Sequence, residues 1–200
     1  MLKYKEVHDQ ELANDFIERV PANELFDNTI TKHFINHFPI WKEGEGVTTK
    51  CRRVFDASLH KRGKACLNDM MYKGSQLTPH ILKVSLRLRL MEYLMSADVS
   101  KAFMRMVLKP QDRNYTCFFA CEDWENPNSK IIVFRFKSVI FGATSSPFML
   151  NCTLADILEQ NKFNKNLEVF VDNLFVLLES EMEIIPSADQ ISQIFTSAAM

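Results

Sequence analysis

A mixed α/β (α+β) fold is predicted by three features of the chain. Short apolar runs of strand length recur, at Cys51-RRVFDA, Leu94–Val99, Tyr115–Cys121 and Ile131–Lys137, and as a pair between 167 and 178. Stretches of helical spacing stand between them. The 200 residues, 46% hydrophobic and 24% charged, can bury a core of their own. Strands and helices interleaved in this order exclude an all-helical or all-β fold.

The elements follow in chain order. In VHDQELANDFIERV, the spacing of Val7, Leu12, Phe16 and Val20 predicts one face of a helix. Asn36-HFPIW is extended, since Pro39 disfavours helix before it. Glu43-GEGVTT is a loop, Cys51-RRVFDA a short strand and His60-KRGKAC a basic loop. Residues 78–95 fit two periods. Val84, Leu86, Leu88 and Leu90 alternate, while Ile81, Val84, Leu88, Met91 and Met95 fit a helix. Thr78-Pro79, a hydroxyl cap before proline, favours the helix. A strand follows around 94–99. Tyr115–Cys121 and Ile131–Lys137 pair across the polar loop Glu122–Lys130. Ser145-Ser146-Pro147 opens a helix running to about Gln160. Leu167–Val171 and Leu174–Leu178, separated by Asp172-Asn173, predict a hairpin. A last helix is expected from Ser187.

No apolar run reaches the roughly 18 residues of a membrane span, and MLKYKEVHDQ lacks the apolar centre of a signal peptide. The five cysteines follow no framework spacing and read as reduced thiols of an intracellular protein. Cys117 and Cys121 have no second pair and read as structural cysteines, not as a metal site. The net charge of −1 conceals an asymmetry: Lys42–Arg113 holds 15 basic and 7 acidic residues, leaving −9 for the remainder. A polyanion partner and a merely solvated basic surface explain that block equally well.

Two acids stand out by position. Asp98 ends the apolar run LMSADVS, and Asp172 sits at the tip of the apolar hairpin. Side by side, such carboxylates hold two divalent cations about 3.5–4 Å apart for phosphoryl transfer. Taken singly, Asp98 also suits a helix cap, and Asp172-Asn173 suits a tight turn.

VTTKCRRVFDAS, LND, GSQL, SADVSKAF, PQDR, FGATSSPF and FVDN occur in one order, and in that order they resemble a reverse transcriptase. The wording TTK-RRVFDAS, LND, L-RLR and FG--SSPF is similar to the BEL/Pao group of LTR retrotransposons. The resemblance extends from about Tyr4 to Glu179. It implies a truncated right-hand polymerase: residues 1–97 as fingers with a connecting helix, 98–200 as partial palm with a fingers portion near 111–137, and no thumb.

By position, the resemblance makes Asp98 the first catalytic aspartate and adds the Val99 carbonyl to its metal. Asp172 matches the first aspartate of the aromatic-x-Asp-Asp box, and Asn173 replaces the second. Arg52 matches the arginine on the incoming triphosphate, with Lys50 or Lys42 as a helping lysine. Phe103 matches the aromatic gate against a ribose 2′-hydroxyl. Phe141 and Gly142, with Ser145, Ser146 and Pro147, match the loop and helix start against nucleotide and template; Phe141 stands where retroviral enzymes have glutamine. Each also has a plain structural reading: solvated arginine, core phenylalanine, turn glycine, helix start.

The implied activity is RNA-directed DNA synthesis with two Mg²⁺ ions, or Mn²⁺ in their place. The implied partners are dNTP, a primer on an RNA or DNA template, and the thumb and ribonuclease H segments of a polyprotein. The alternative is a non-catalytic remnant or domesticated fragment that binds nucleic acid or protein. Lacking a thumb, the isolated chain is expected to bind primer-template weakly and to extend it poorly.

Overall fold

The computed structural model describes residues 2–42, 44, 51–163 and 166–200. Lys50 and the loop expected over 43–49, Gly44 apart, lie outside these residues. In chain order the elements are α1 (Leu2–Ala13), β1 (Ile17–Arg19), α2 (Ala22–Leu25), β2 (Asn36–Trp41), β3 (Cys51–Asp56), α3 (Leu67–Met70), α4 (Ile81–Arg87) and β4 (Tyr93–Asp98). There follow α5 (Ala102–Arg105), a 3₁₀ segment (Pro110–Thr116), β5 (Cys117–Cys121), β6 (Ile131–Phe136), α6 (Ser146–Gln160), β7 (Leu167–Phe170), β8 (Asn173–Leu178) and α7 (Ile184–Ser197). They form two compact units, one of residues 1–71 and 106–144, the other of 72–105 and 145–200. This mixture of helix and sheet is the fold class predicted above.

The first unit holds an antiparallel sheet in the order β1-β6-β5 and the hairpin β2-β3. Phe118 and Phe136 are fully buried, and Phe55 packs edge-on against both rings. Cys117 is buried and Cys121 half-buried, and both are free thiols. Burial pushes the Cys117 thiol up to about 11, which fits a structural cysteine.

Helix α1 does not present the face expected of it. Leu12 is exposed, Phe16 and Val20 lie beyond the helix, and the buried residues are Tyr4, His8 and Glu11. These stand at i, i+4 and i+7, so the helical period holds but its inward stripe is polar. The reason lies on β3. Arg53 is buried, pairs with Glu11, and donates from Nη1 to His8 Nδ1 at 2.9 Å. Its guanidinium also lies 4.7 Å from the Phe118 ring centroid. Because Arg53 donates, His8 must accept and stay neutral, and burial with the adjacent guanidinium lowers it to about 4. The His37 Nε2–H donates to the Phe119 carbonyl at 2.7 Å, and Nδ1 bonds the Tyr4 hydroxyl.

In the second unit β4, β8 and β7 form an antiparallel sheet in the order β4-β8-β7. Leu174, Val176 and Leu178 of β8 are buried, as are Ile191, Ile194 and Phe195 of α7 and Leu150 and Leu154 of α6. Glu168 on β7 is buried and pairs with Arg87 Nε of α4 at 2.7 Å.

Several boundaries differ from expectation. The helix expected over 78–95 spans only Ile81–Arg87. Pairing with β8 takes Tyr93–Asp98 into the sheet, so Met95 is a strand residue. Thr78 is not the cap: its hydroxyl accepts from Asn151 Nδ2 at 3.1 Å, and His80 Nδ1 accepts the Leu82 N–H instead. Ser145 precedes α6 without a side-chain cap bond. The last helix starts at Ile184, not Ser187, whose hydroxyl donates back to the Glu183 carbonyl at 2.6 Å.

The buried polar cluster makes two predictions. Glu11→Ala strands the Arg53 charge and is expected to cost about 3–5 kcal/mol in urea denaturation. His8, held near 4 in the fold against 6.5 free, binds its proton first in the unfolded chain. Stability therefore falls as pH drops from about 6.5 towards 4. His8→Gln, which still accepts from Arg53, is expected to flatten the urea midpoint between pH 6.5 and 4.5.

Candidate active site

The two acids singled out from sequence are brought together by the β4–β8 ladder. Asp98, the last residue of β4, pairs in register with Asn173, the first of β8. One step further, the Val99 N–H donates to the Asp172 carbonyl at 3.0 Å. Residues directly opposite in an antiparallel pair project to the same face, with Cβ atoms about 4.5–5.5 Å apart. Asp98 and Asn173 thus share a face, and Asp172 stands beside them on the turn. Asp98 is exposed; Asp172 and Asn173 are half-buried. The Val99 side chain is buried, and its carbonyl accepts the Ala102 N–H at 3.2 Å. A carbonyl oxygen has a second lone pair for another partner.

The turn lies one residue earlier than predicted. Phe170 pairs with Asn173, so the two loop residues are Val171 and Asp172, and Asn173 belongs to the strand. Val171 has φ 58°, while Asp172 is not among the residues of positive φ. A two-residue loop with positive φ at its first position normally carries glycine there. A β-branched residue in that conformation stores strain of about 1–2 kcal/mol.

Asn173 has a role that its charge alone does not suggest. Its Nδ2 donates to Asp172 Oδ1 at 3.2 Å. An aspartate could not make that bond. The amide orients the neighbouring carboxylate and adds no second negative charge beside it.

The other expected site residues are placed as follows. In the second unit, Phe103 on α5 is buried, Ser146 is buried, Ser145 half-buried and Pro147 exposed. In the first unit, Arg52 on β3 is exposed and paired in register with Ile40, while its neighbour Arg53 is the buried one. Lys42 is exposed. Phe141 is 69% exposed, and Gly142 has φ +96°. A Cβ at Gly142 would meet the Phe55 carbonyl at 3.1 Å, so both conformation and space call for glycine.

Asn68, in the block LND, was not singled out from sequence. Its Nδ2 donates to the Gly142 carbonyl at 3.1 Å, and its Oδ1 accepts the Thr144 N–H at 2.8 Å. It clamps the loop that presents Phe141. Only the block resemblance pointed to it, since nothing local in the sequence distinguishes this half-buried asparagine.

The profile of the family "Reverse transcriptase (RNA-dependent DNA polymerase)" matches residues 46–200, and the chain belongs to this family. The family uses divalent metal ions. Among curated proteins none matches the sequence significantly. Two of the solved structures that share the fold serve as examples. The foamy viral protease-reverse transcriptase dRH in complex with double-stranded DNA is 17% identical, with a TM-score of 0.72 over 98% of this chain and 29% of that one. The native prototype foamy virus protease-reverse transcriptase is 16% identical, with a TM-score of 0.67 over 96% and 22%. The chain thus spans less than a third of either.

Two outcomes follow from the hairpin. Val171→Gly releases the positive-φ strain and gives back part of it as chain entropy, for a net gain of about 0.5–1 kcal/mol in urea denaturation. Asn173→Asp removes the bond to Asp172 and clusters three carboxylates. The variant is expected to melt below wild type in chelator and to gain more in Tm than wild type as Mg²⁺ is added. Equal Mg²⁺ responses would show that these side chains do not share an ion.

Proposed function

We propose that this chain is the fingers and palm portion of an RNA-directed DNA polymerase of the BEL/Pao retrotransposon type. Fingers would comprise 1–97 and a portion near 111–137, and palm 98–200. The observation that carries the reading is the register of Asp98 opposite Asn173, locked by the Val99 N–H on the Asp172 carbonyl. The BEL/Pao assignment rests on the sequence blocks alone.

The donor set suits a hard cation. Asp98 and Asp172 supply carboxylates and Val99 a carbonyl, all oxygen ligands of the kind Mg²⁺ prefers, with Mn²⁺ able to take the same set. Bound there, two ions would activate the primer hydroxyl and stabilise the leaving pyrophosphate. The protein's own part is positional. The ladder fixes Asp98, Asn173 holds Asp172, and the Asn68 clamp holds the loop of Phe141 and Gly142.

Arg52, exposed on a strand, is free of the buried network that holds Arg53 and is the arginine we assign to the triphosphate. Phe103 is assigned as the ribose gate, and Ser145, Ser146 and Pro147 to the template and primer. The partners are a primed RNA or DNA template and dNTP, drawn to the basic block between Lys42 and Arg113. Five free thiols fit an intracellular setting. Among the described residues no helix is long and apolar enough to cross a membrane.

The test is primer extension on an RNA template with Mg²⁺, using the chain alone and the chain extended by the coding sequence that follows it. Extension is expected in the longer form, falling at least about a hundredfold in Asp98→Asn and in Asp172→Asn with primer-template binding retained. Binding without extension in either form would establish the non-catalytic alternative.

A further inference from the structure

We propose that His60, Cys66 and Asp69 form a binding site for a thiophilic divalent cation of the Zn²⁺ class, separate from the acids of the β4–β8 turn. The three ligand atoms lie within 4.8 Å of one another, and no other group of three or more such residues converges among the described residues. His60 Nε2 is 2.8 Å from Asp69 Oδ2, which also accepts the Cys66 N–H at 2.9 Å. Cys66 is 2% exposed, whereas His60 and Asp69 are exposed, so the group is open to solvent on one side.

The simpler account is a helix cap with an ion pair. Cys66 precedes α3, its sulfur accepting the Asp69 N–H and the Asp69 carboxylate accepting the Cys66 N–H. That account gives the Cys66 side chain hydrogen bonds with Asp69 but does not call for sulfur at this position. A capping position calls for the compact oxygen of Ser, Thr, Asp or Asn, and sulfur is a weak acceptor. Sulfur beside an imidazole and a carboxylate is instead a ligand set for zinc. Tetrahedral bonds of 2.0–2.3 Å separate ligand atoms by roughly 3.3–3.8 Å, so the His60–Asp69 contact of 2.8 Å needs to open by about 0.5 Å to admit the ion. The Cys66 N–H would stay on the Asp69 carboxylate as an outer support. Binding releases the thiol proton to solvent, and thiolate and carboxylate together offset the two charges of the metal. Lys61, Arg62 and Lys64 are exposed nearby and oppose the cation, which sets the affinity below that of a closed four-ligand site.

The experiment uses the full chain, purified in chelator and phosphine reductant and then titrated with Co²⁺ alone and with Zn²⁺ alone. Co²⁺ is expected to bind one to one, giving tetrahedral visible bands and a thiolate charge-transfer band in the near ultraviolet that Zn²⁺ abolishes. Cys66→Ser should remove the charge-transfer band. His60→Gln, at an exposed position where folding is not at risk, should weaken binding at least about tenfold. Zn²⁺ should raise the Tm of wild type and leave that of His60→Gln unmoved. Cys121→Ser should bind as wild type. Absence of stoichiometric binding by the folded wild type, or equal binding by Cys66→Ser and His60→Gln, would overturn the proposal.

Discussion

The antiparallel pairing of β4 with β8 is the constraint on which the second unit depends. Side chains alternate along a strand, so a slip of one residue would turn Asp98 into the core and Ala97 out of it. The register is held from both ends. Leu174 and Val176 are buried opposite Ala97 and Met95, and the Val99 N–H closes on the Asp172 carbonyl beyond the last pair. Hydrophobic burial on one face thereby sets the chemistry on the other. The apolar residues behind the acids align their backbone, and the Asn173 amide then orients the Asp172 carboxylate.

The first unit meets a comparable demand differently. Two arginines stand side by side on β3 and strand alternation sends them apart. Arg53 goes inward to Glu11, His8 and the Phe118 ring, and Arg52 outward to solvent. The buried charge costs desolvation that the ion pair and the aromatic face offset. In return α1 is tied to β3 through a polar stripe on the side where an amphipathic helix would carry leucine.

How far the sequence could be read follows from these same residues. Strands and the hairpin were legible because apolar runs bounded by polar turns have few alternatives. The juxtaposition of Asp98 with the Asp172 turn was legible from one acid ending a strand and the other tipping a hairpin. The inward face of α1 was not, since period alone favours Leu12 and cannot show that Arg53 waits opposite. The end of α4 was not, because strand pairing 80 residues away overrode a locally plausible helix. The turn shifted by one residue because Asp-Asn is the better turn pair, whereas the ladder spends Asn173 as a strand residue and leaves Val171 in a glycine conformation. Asn68 was hidden for a different reason: its partners, Gly142 and Thr144, are more than 70 residues distant.

The interleaving of the two units bears on how the chain comes off the ribosome. The first unit is interrupted by residues 72–105, and the second by 106–144. Neither can close on a simple N-to-C schedule. Strand β4 emerges complete at Asp98, yet its partner begins only at Asn173. At about 5–20 residues per second, that strand waits several seconds with its ladder groups unpaired. Throughout that interval the Leu94–Ala97 edge is an open template for another nascent chain. Synthesis rate and chaperone access are then expected to bear on the yield of folded protein alongside the stability of the finished sheet.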